Sequence, residues 1–204
     1  MHTVSVKEGK VMSTLELKDR VKAIAYAPVG HLVLFGDIKG KIYIYKVAAD
    51  KLKKMSNEVI ADRPITHIET MVVPGGNPEA MVVVNSLSGK IKMGSLKWDI
   101  GFAKSAKFEV VKVFPTMNRA STIRAAFCPT LGKWPRSFSI VCGSEDGQLN
   151  IYNKDKKGEP WCNMLNGHEA TVLGATWSGD GTILVTCDAE GSVVCWRRDI
   201  SNEE

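Results

Sequence analysis

One unit of about 45 residues returns along this chain, and it constrains the fold more than any other feature. Each copy has an apolar strand, a turn, a second apolar strand, a tight turn that ends in glycine, and a third strand. The four copies cover residues 21–47, 65–96, 123–153 and 172–198, with turn glycines at Gly40, Gly89, Gly147 and Gly191. Because apolar residues alternate with period two and helical periodicity is nearly absent, the sequence predicts an all-β fold.

A further apolar segment stands between successive copies. These segments read KLKKMSNEVI (51–60), KFEVVKVF (107–114) and PWCNMLN (160–166). With them, each unit contains short strands in the number and order of a four-stranded antiparallel β-propeller blade. The sequence therefore predicts a propeller with about four blades' worth of sheets.

The fourth copy has a Gly-His pair, Gly167-His168, well upstream of a lone tryptophan, Trp196. Such a pair could border a metal site, supply a catalytic base or serve the structure. The stretch LNGHEATVLGATWSGDGTILVTCDAEGSVVCWRR (165–198) resembles a WD repeat, and the whole chain resembles the WD-repeat family.

That resemblance implies a hydrogen-bonded ladder across the blade, formed by His168, Thr186, Glu190 and Trp196. The glutamate stands where the family usually has aspartate. A half-buried imidazole can accept from a hydroxyl and donate to a carboxylate, which pairs groups that are costly to bury alone. Under this interpretation His168 is part of the scaffold and takes no part in chemistry.

The other copies depart from the family pattern. In the third copy, Cys142 stands at the hydroxyl position and Asp146 at the acid position, without a preceding Gly-His pair. In the first copy Lys39 stands at the acid position, and in the second Gly94 stands at the aromatic position. We expect these blades to depend on the packing of alternating apolar residues.

The strand pattern predicts a partial ring, and the family resemblance implies that it is the C-terminal part of a seven-bladed propeller. A four-bladed closure, in which VMSTLEL (11–17) supplies the outer strand of the last blade, is the alternative. Open blade faces would need missing N-terminal blades or a partner to cover them. The expected organisation is strands c and d of an incomplete blade in 1–20, WD blade 1 in 21–60, a degenerate blade 2 with an insertion in 61–120, blade 3 in 121–168, blade 4 without its outer strand in 169–198, and a polar tail in 199–204.

Cysteines and histidines give no sign of a metal or cofactor site. The five cysteines form no CxxC pair, and the four histidines stand singly. No GxSxG motif is present. We therefore expect no catalytic, cofactor-binding or metal-binding residues, and free thiols in a reducing compartment. The first residues lack the apolar core of a secretory signal, and no apolar run is long enough for a membrane span, which predicts a nuclear or cytoplasmic protein.

The family resemblance implies a non-enzymatic scaffold for protein–protein interactions, in the nucleus, the cytoplasm or both. Candidate contact residues lie in the loops that precede each first strand or just inside it. They are Arg20, Lys22, Arg63, Arg119 and Arg124. On one rim of a propeller they would form a positive patch for acidic or phosphorylated segments of a partner protein. The alternatives are nucleic-acid binding through the basic surface, consistent with a net charge of +5, and a propeller hydrolase.

Overall fold

The computed structural model of the chain describes residues 2–27, 31–48, 51–73, 79–99, 105–129, 139–154 and 162–197. Every regular element in these ranges is a β-strand, and all strand pairs are antiparallel. Within them no helix is long and apolar enough to cross a membrane. The predicted all-β fold is confirmed.

The first part of the chain forms a hairpin and two complete four-stranded sheets. In each complete sheet the strands pair in chain order, from the first to the fourth. The hairpin consists of β1 (His2–Val4) and β2 (Val11–Thr14); blade 1 of β3 (Val21–Ala27), β4 (Leu32–Asp37), β5 (Lys41–Ala48) and β6 (Lys51–Val59); and blade 2 of β7 (Ile65–Val72), β8 (Glu79–Ser86), β9 (Lys90–Trp98) and β10 (Ala106–Pro115).

The second part forms a third four-stranded sheet and one sheet of three described strands. Blade 3 consists of β11 (Ala125–Phe127), β12 (Ser139–Gly143), β13 (Gln148–Asn153) and β14 (Cys162–Asn166), and blade 4 of β15 (Val172–Trp177), β16 (Ile183–Asp188) and β17 (Val193–Arg197). The insertion expected in blade 2 falls partly on residues 100–104, and the polar tail on 199–204. Both segments lie outside the described residues.

Apolar alternation along each strand joins consecutive blades. Val82 of β8 faces blade 1, in a cluster with Leu34, whereas Val83 faces blade 3, in a cluster with Ile140. This follows from the period of two along a strand, which sends successive side chains to opposite faces. The first strands of neighbouring blades, β3 with β7, β7 with β11 and β11 with β15, also contact one another. The sheets therefore follow one another as blades around an axis.

The N-terminal segment covers part of one face of blade 1, the face that points away from blade 2. Leu15 and Leu17 pack against a buried cluster that contains Phe35 and Tyr45, whose ring centroids lie 5.5 Å apart. The expectation for residues 1–20 was two strands of a preceding blade, and the described part of this segment is the β1–β2 hairpin followed by these two leucines.

Two sheet faces stay open. On the first strand of blade 1, Ile24 and Tyr26 are 59% and 49% exposed. On the far side of blade 4, Val193 is 65% exposed and the thiols of Cys187 and Cys195 are also exposed. These exposed apolar side chains alternate along their strands, as the side chains of a buried sheet face do. This pattern indicates a surface that contacts another sheet or a partner.

Candidate functional site

The turn glycines lie along one edge of the row of blades, and we call this edge the rim. Gly40, Gly89 and Gly147 all have positive φ, of 77°, 70° and 81°. Each lies against the loop that leads into the next blade. A Cβ on Gly40 would clash with the carbonyl oxygen of Ala61, and one on Gly147 would lie 2.8 Å from the carbonyl oxygen of His168. Turn and loop are therefore held together by backbone contacts at the same rim.

In blade 4, three of the predicted ladder residues meet. The Nε2 atom of His168 lies 2.7 Å from the hydroxyl oxygen of Thr186, and the indole N–H of Trp196 donates to the same oxygen at 2.9 Å. The Nδ1 atom of His168 lies 2.8 Å from a carboxylate oxygen of Asp188. The side chains of His168 and Asp188 are almost wholly buried.

The acid of this ladder is Asp188, so the prediction of Glu190 was wrong. Asp188 ends β16 two residues after Thr186, so both side chains lie on the same face and both contact His168. Its second oxygen accepts from the backbone N–H groups of Glu190 (3.0 Å) and Ser192 (2.9 Å) and so closes the turn. Glu190 therefore supplies a backbone donor at the exposed turn, where its side chain does not reach the imidazole. The hydrogen bond from His168 is the largest cause that lowers the pKa of Asp188.

Blade 1 has the same acid at the same place, and Lys39 does not occupy it. Asp37 is fully buried and accepts from the backbone N–H groups of Lys39 (2.8 Å) and Lys41 (2.9 Å). Its other oxygen accepts from the hydroxyl of Tyr43 at 2.9 Å. Burial and this neighbouring carboxylate raise the pKa of Tyr43 to about 12. The sequence held a signal for both acids, because Asp37 and Asp188 each stand three residues before a turn glycine.

Blade 3 pairs its thiol with amides from neighbouring elements. The side-chain amide of Asn85 donates to the Cys142 sulfur at 3.4 Å, and that of Asn118 donates to it at 3.6 Å. Burial raises the pKa of the Cys142 thiol to about 12. Asp146, predicted at the acid position, accepts from the backbone N–H of Gln148 in the exposed turn. No spacing in the repeat marks Asn118, which is why sequence reasoning missed it.

In blade 2 the space of the missing aromatic ring is filled from the next strand. Gly94 pairs with Val82 and lies against the ring of Phe108, which a Cβ on the glycine would overlap. Phe108 is 1% exposed. A phenylalanine from β10 thus replaces the side chain that the glycine lacks.

The five cations of the proposed contact surface are all exposed at the rim of the turn glycines or just inside it. Arg20, Arg63 and Arg119 lie in successive loops before blades 1, 2 and 3, and Lys22 and Arg124 lie at the next strand starts. Among the residues that the structure describes, none of the five forms an ion pair. Their guanidinium and ammonium groups are therefore open to an anion from outside.

The loop that carries Arg119 is held in place by a carboxylate. One oxygen of Glu145 accepts from the backbone N–H groups of Arg119 (2.9 Å), Ala120 (2.7 Å) and Ser121 (2.7 Å). Three consecutive amides around one oxygen form a backbone anion nest. The loop is thus fixed without use of the Arg119 side chain, whose guanidinium lies against Gly89.

Two titratable groups lie side by side on β7 and face blade 3. Burial raises the pKa of Glu69 to about 7, although the backbone N–H of Phe127 donates to its carboxylate. Burial, followed by the charge of Arg124, lowers the pKa of His67 to about 4. No cluster of three or more His, Cys, Asp or Glu side chains in the described ranges could hold a metal ion.

Residues 161–197 match the family model described as WD domain, G-beta repeat. This match places a WD repeat in residues 161–197, and the arrangement of the sheets shows a β-propeller fold. The solved β-propeller domain of Cps50 (Swd1) from Myceliophteria thermophila is similar over 89% of this chain and 52% of that chain, with a TM-score of 0.67 and 20% identity.

Two curated proteins are similar over shorter stretches. Protein transport protein SEC13 homolog A of Arabidopsis thaliana is 33% identical over 93 residues, which are 44% of this chain and 30% of that protein. Probable cytosolic iron-sulfur protein assembly protein 1 of Kluyveromyces lactis is 27% identical over 124 residues, which are 56% of this chain and 35% of that protein. The matched stretches span about a third of each relative's length.

Proposed function

We propose that this chain is a non-enzymatic scaffold that binds other proteins through the rim marked by the turn glycines. The observation that carries the proposal is the position of Arg20, Arg63 and Arg119 in successive loops on that rim, each exposed and without an ion pair among the described residues. Two similar proteins are named for protein transport and for cytosolic iron-sulfur protein assembly, and these names support a role that involves other proteins.

The chemistry of the rim favours acidic or phosphorylated segments of a partner. A guanidinium presents a planar fork of N–H donors that matches a carboxylate or a phosphate. Lys22 at the start of β3 and Arg124 immediately before β11 add positive charge. A rim of this sign raises the association rate of acidic partners and rejects basic ones.

A triple variant tests the rim directly. The chain with Arg20→Ala, Arg63→Ala and Arg119→Ala is compared with a variant of equal charge, Lys53→Ala, Lys54→Ala and Lys107→Ala, whose lysines are exposed on outer strands away from this rim. Quantitative pull-down is expected to lose partners only with the rim variant, and phosphatase treatment separates phosphorylated from acidic partners. Equal capture by the wild type and the rim variant contradicts the proposal.

Nucleic-acid binding is the second candidate, because the same exposed cations would also contact phosphates. It predicts binding to random-sequence DNA that falls steeply as salt rises. A partner set that survives nuclease treatment, with no salt-sensitive DNA binding, favours the protein scaffold.

We also propose a finer likeness and a location. The order of IRAAFCP, VCGSEDG, GHEATVLGATWS and DAEGSVVCWRR (123–129, 141–147, 167–178 and 188–198) resembles the C-terminal repeats of WD repeat-containing protein 13. This likeness supports a role in a nuclear regulatory complex, and imaging of a tagged protein would distinguish nuclear from cytoplasmic residence. The exposed faces at Ile24 and Val193 are proposed to be covered by further blades or by a partner.

A further inference from the structure

A cleft opens between blades 1 and 2, beside the loop that carries Arg63. Its volume is about 370 Å³. One wall is the end of β6 and the residues after it; the other is the β8–β9 turn and the start of β9. The lining residues are Val59, Ile60, Ala61, Asp62, Ser88, Lys90 and Lys92.

Two lysines project into this cleft from one strand. Lys90 and Lys92 stand at alternating positions of β9, so both face blade 1. Lys90 is exposed and Lys92 is half-buried, and the Lys92 ammonium donates to the carbonyl oxygen of Ile60. Burial first, then the charge of Lys90, lowers the pKa of Lys92, which Asp62 opposes. Neither lysine forms an ion pair with any described residue.

The net charge of the residues that line the cleft indicates which anion it would bind. Two ammonium groups and the exposed carboxylate of Asp62 leave one net positive charge in the lining. An ammonium has three donors, and the Ile60 carbonyl uses only one of those on Lys92. A single carboxylate would pair with both lysines, relieve their mutual repulsion and neutralise the one net charge of the lining, whereas a dianionic phosphate would leave the cleft with a net negative charge.

The apolar wall indicates that the carboxylate comes from a peptide. Val59 is 71% exposed at the mouth of the cleft, and Ile60 and Ala61 continue the wall inward. An apolar side chain next to the acidic one would cover Val59. A free carboxylate ion would leave this apolar surface in water.

We propose that the cleft between β6 and β9 binds an acidic side chain of a partner polypeptide, with Lys90 and Lys92 as its cationic ligands and Val59 as the contact for a neighbouring apolar residue. The inference rests on the proposed scaffold function and specifies it, because it names a peptide carboxylate as the bound group and places it beside the loop of Arg63.

The test uses the full chain labelled with ¹⁵N and a blocked Gly-Glu-Leu-Gly peptide as the probe. The same peptide with Gln or with phosphoserine in place of Glu gives the comparison. We expect the glutamate peptide to change the chemical shifts of the backbone amides in residues 59–62 and 88–92. We expect the double variant Lys90→Ala with Lys92→Gln to bind this peptide at least tenfold more weakly. The glutamine at position 92 keeps a donor for the Ile60 carbonyl. The control, Lys53→Ala with Lys54→Ala, is expected to bind as the wild type does.

The outcomes separate this inference from the rim proposal. If the amide chemical shifts change only in the loops of Arg20, Arg63 and Arg119 and not in the cleft, the cleft assignment is overturned and the rim proposal stands. If the amide chemical shifts change in the cleft, and change equally in the triple arginine variant, the cleft assignment is supported. This holds even if the triple variant keeps its partners and the rim proposal fails. Stronger binding of the phosphoserine peptide than of the glutamate peptide, or equal binding of the glutamine peptide, overturns the assignment of a carboxylate.

Discussion

His168 and Thr186 lie 18 residues apart in sequence and meet at 2.7 Å, imidazole nitrogen to hydroxyl oxygen. Because the other ring nitrogen lies beside the Asp188 carboxylate, we assign the proton to Nδ1, so that Nε2 accepts from the Thr186 hydroxyl. The same hydroxyl accepts from the indole of Trp196. One threonine thus connects the loop before β15 to the last described strand.

Thr186→Val is expected to lower the free energy of unfolding by about 1–3 kcal/mol, because it leaves a buried imidazole nitrogen and an indole N–H without their partner. The shape of the side chain is nearly kept. Urea denaturation followed by tryptophan fluorescence measures the change. Thr176→Val, on the exposed face of the neighbouring strand, is the control and is expected to alter stability little. Equal losses in the two variants would refute a special role for the ladder.

Asp188→Asn and Glu190→Gln are expected to differ in their pH dependence. Hydrogen bonding from His168 lowers the pKa of Asp188 in the folded chain. The ionised carboxylate therefore stabilises the fold above its unfolded pKa, and this stabilisation is lost as pH falls through the lowered folded pKa. Thermal unfolding across acidic pH should show that Asp188→Asn removes this acid-sensitive part, whereas Glu190→Gln keeps it. The opposite ranking would return Glu190 to the ladder.

Glu69→Gln is expected to stabilise the chain at alkaline pH. Burial raises the pKa of Glu69 to about 7 from an ordinary value of 4.5, so the folded state binds the proton more tightly and stability falls as pH rises between these values. Allowing for its partial exposure to solvent, the gain at about pH 8 should be about 1–2 kcal/mol, and it should vanish at about pH 4. Chemical denaturation at both pH values measures it.

The exposed Glu16→Gln is the control for this experiment and is expected to alter stability little at either pH. His67 also titrates, with a pKa lowered to about 4, but it is present in both chains and its contribution largely cancels in the difference. A gain that is the same at both pH values would mean that Glu69 is not held neutral by burial.

Gly40→Ala is expected to cost more stability than Gly191→Ala. Both glycines have positive φ, 77° and 91°, so alanine costs each about 1 kcal/mol through its backbone conformation. Only at Gly40 would the new methyl clash with a neighbour, the carbonyl of Ala61; at Gly191 nothing lies within 4 Å. The clash should add about 1–3 kcal/mol. Urea midpoints of the two variants measure the difference, and equal values would show that turn and loop are not tightly packed.

Alkylation should distinguish the cysteines of the native chain. Cys187 and Cys195 are exposed, whereas Cys142 is buried with a pKa raised to about 12. Because the thiolate is the reactive form, brief treatment with iodoacetamide at neutral pH should label the first two and spare Cys142 until urea is added. Peptide mass spectrometry reads each site. Rapid labelling of Cys142 in the folded chain would contradict the packing between blades 2 and 3.

The sequence was informative where a rule depends on the local backbone. Positive φ favours glycine, so the tight turns at Gly40, Gly89 and Gly147 could be predicted from a glycine that recurs at the same position of each copy. Alternating apolar residues likewise predicted which strands would carry the core. These features repeat because each blade meets the same local requirements.

The ladder was harder to predict because its geometry depends on strand register. Glu190 lies closer to the turn glycine in sequence, but Asp188 is the residue of β16 whose carboxylate lies beside His168. Contacts made by residues of adjacent strands and loops left still weaker signals. Neither the Asn118 amide beside Cys142 nor the Phe108 ring over Gly94 follows from the spacing of either residue in its own copy.

The backbone contact between each turn and the following loop also fixes how far apart the rim cations stand. Gly40 positions the loop of Arg63, and Gly89 packs against the guanidinium of Arg119. The interval between successive positive charges is therefore set by the angular step from one blade to the next, whatever the loop residues are. A partner with acidic groups at that interval would match several blades together.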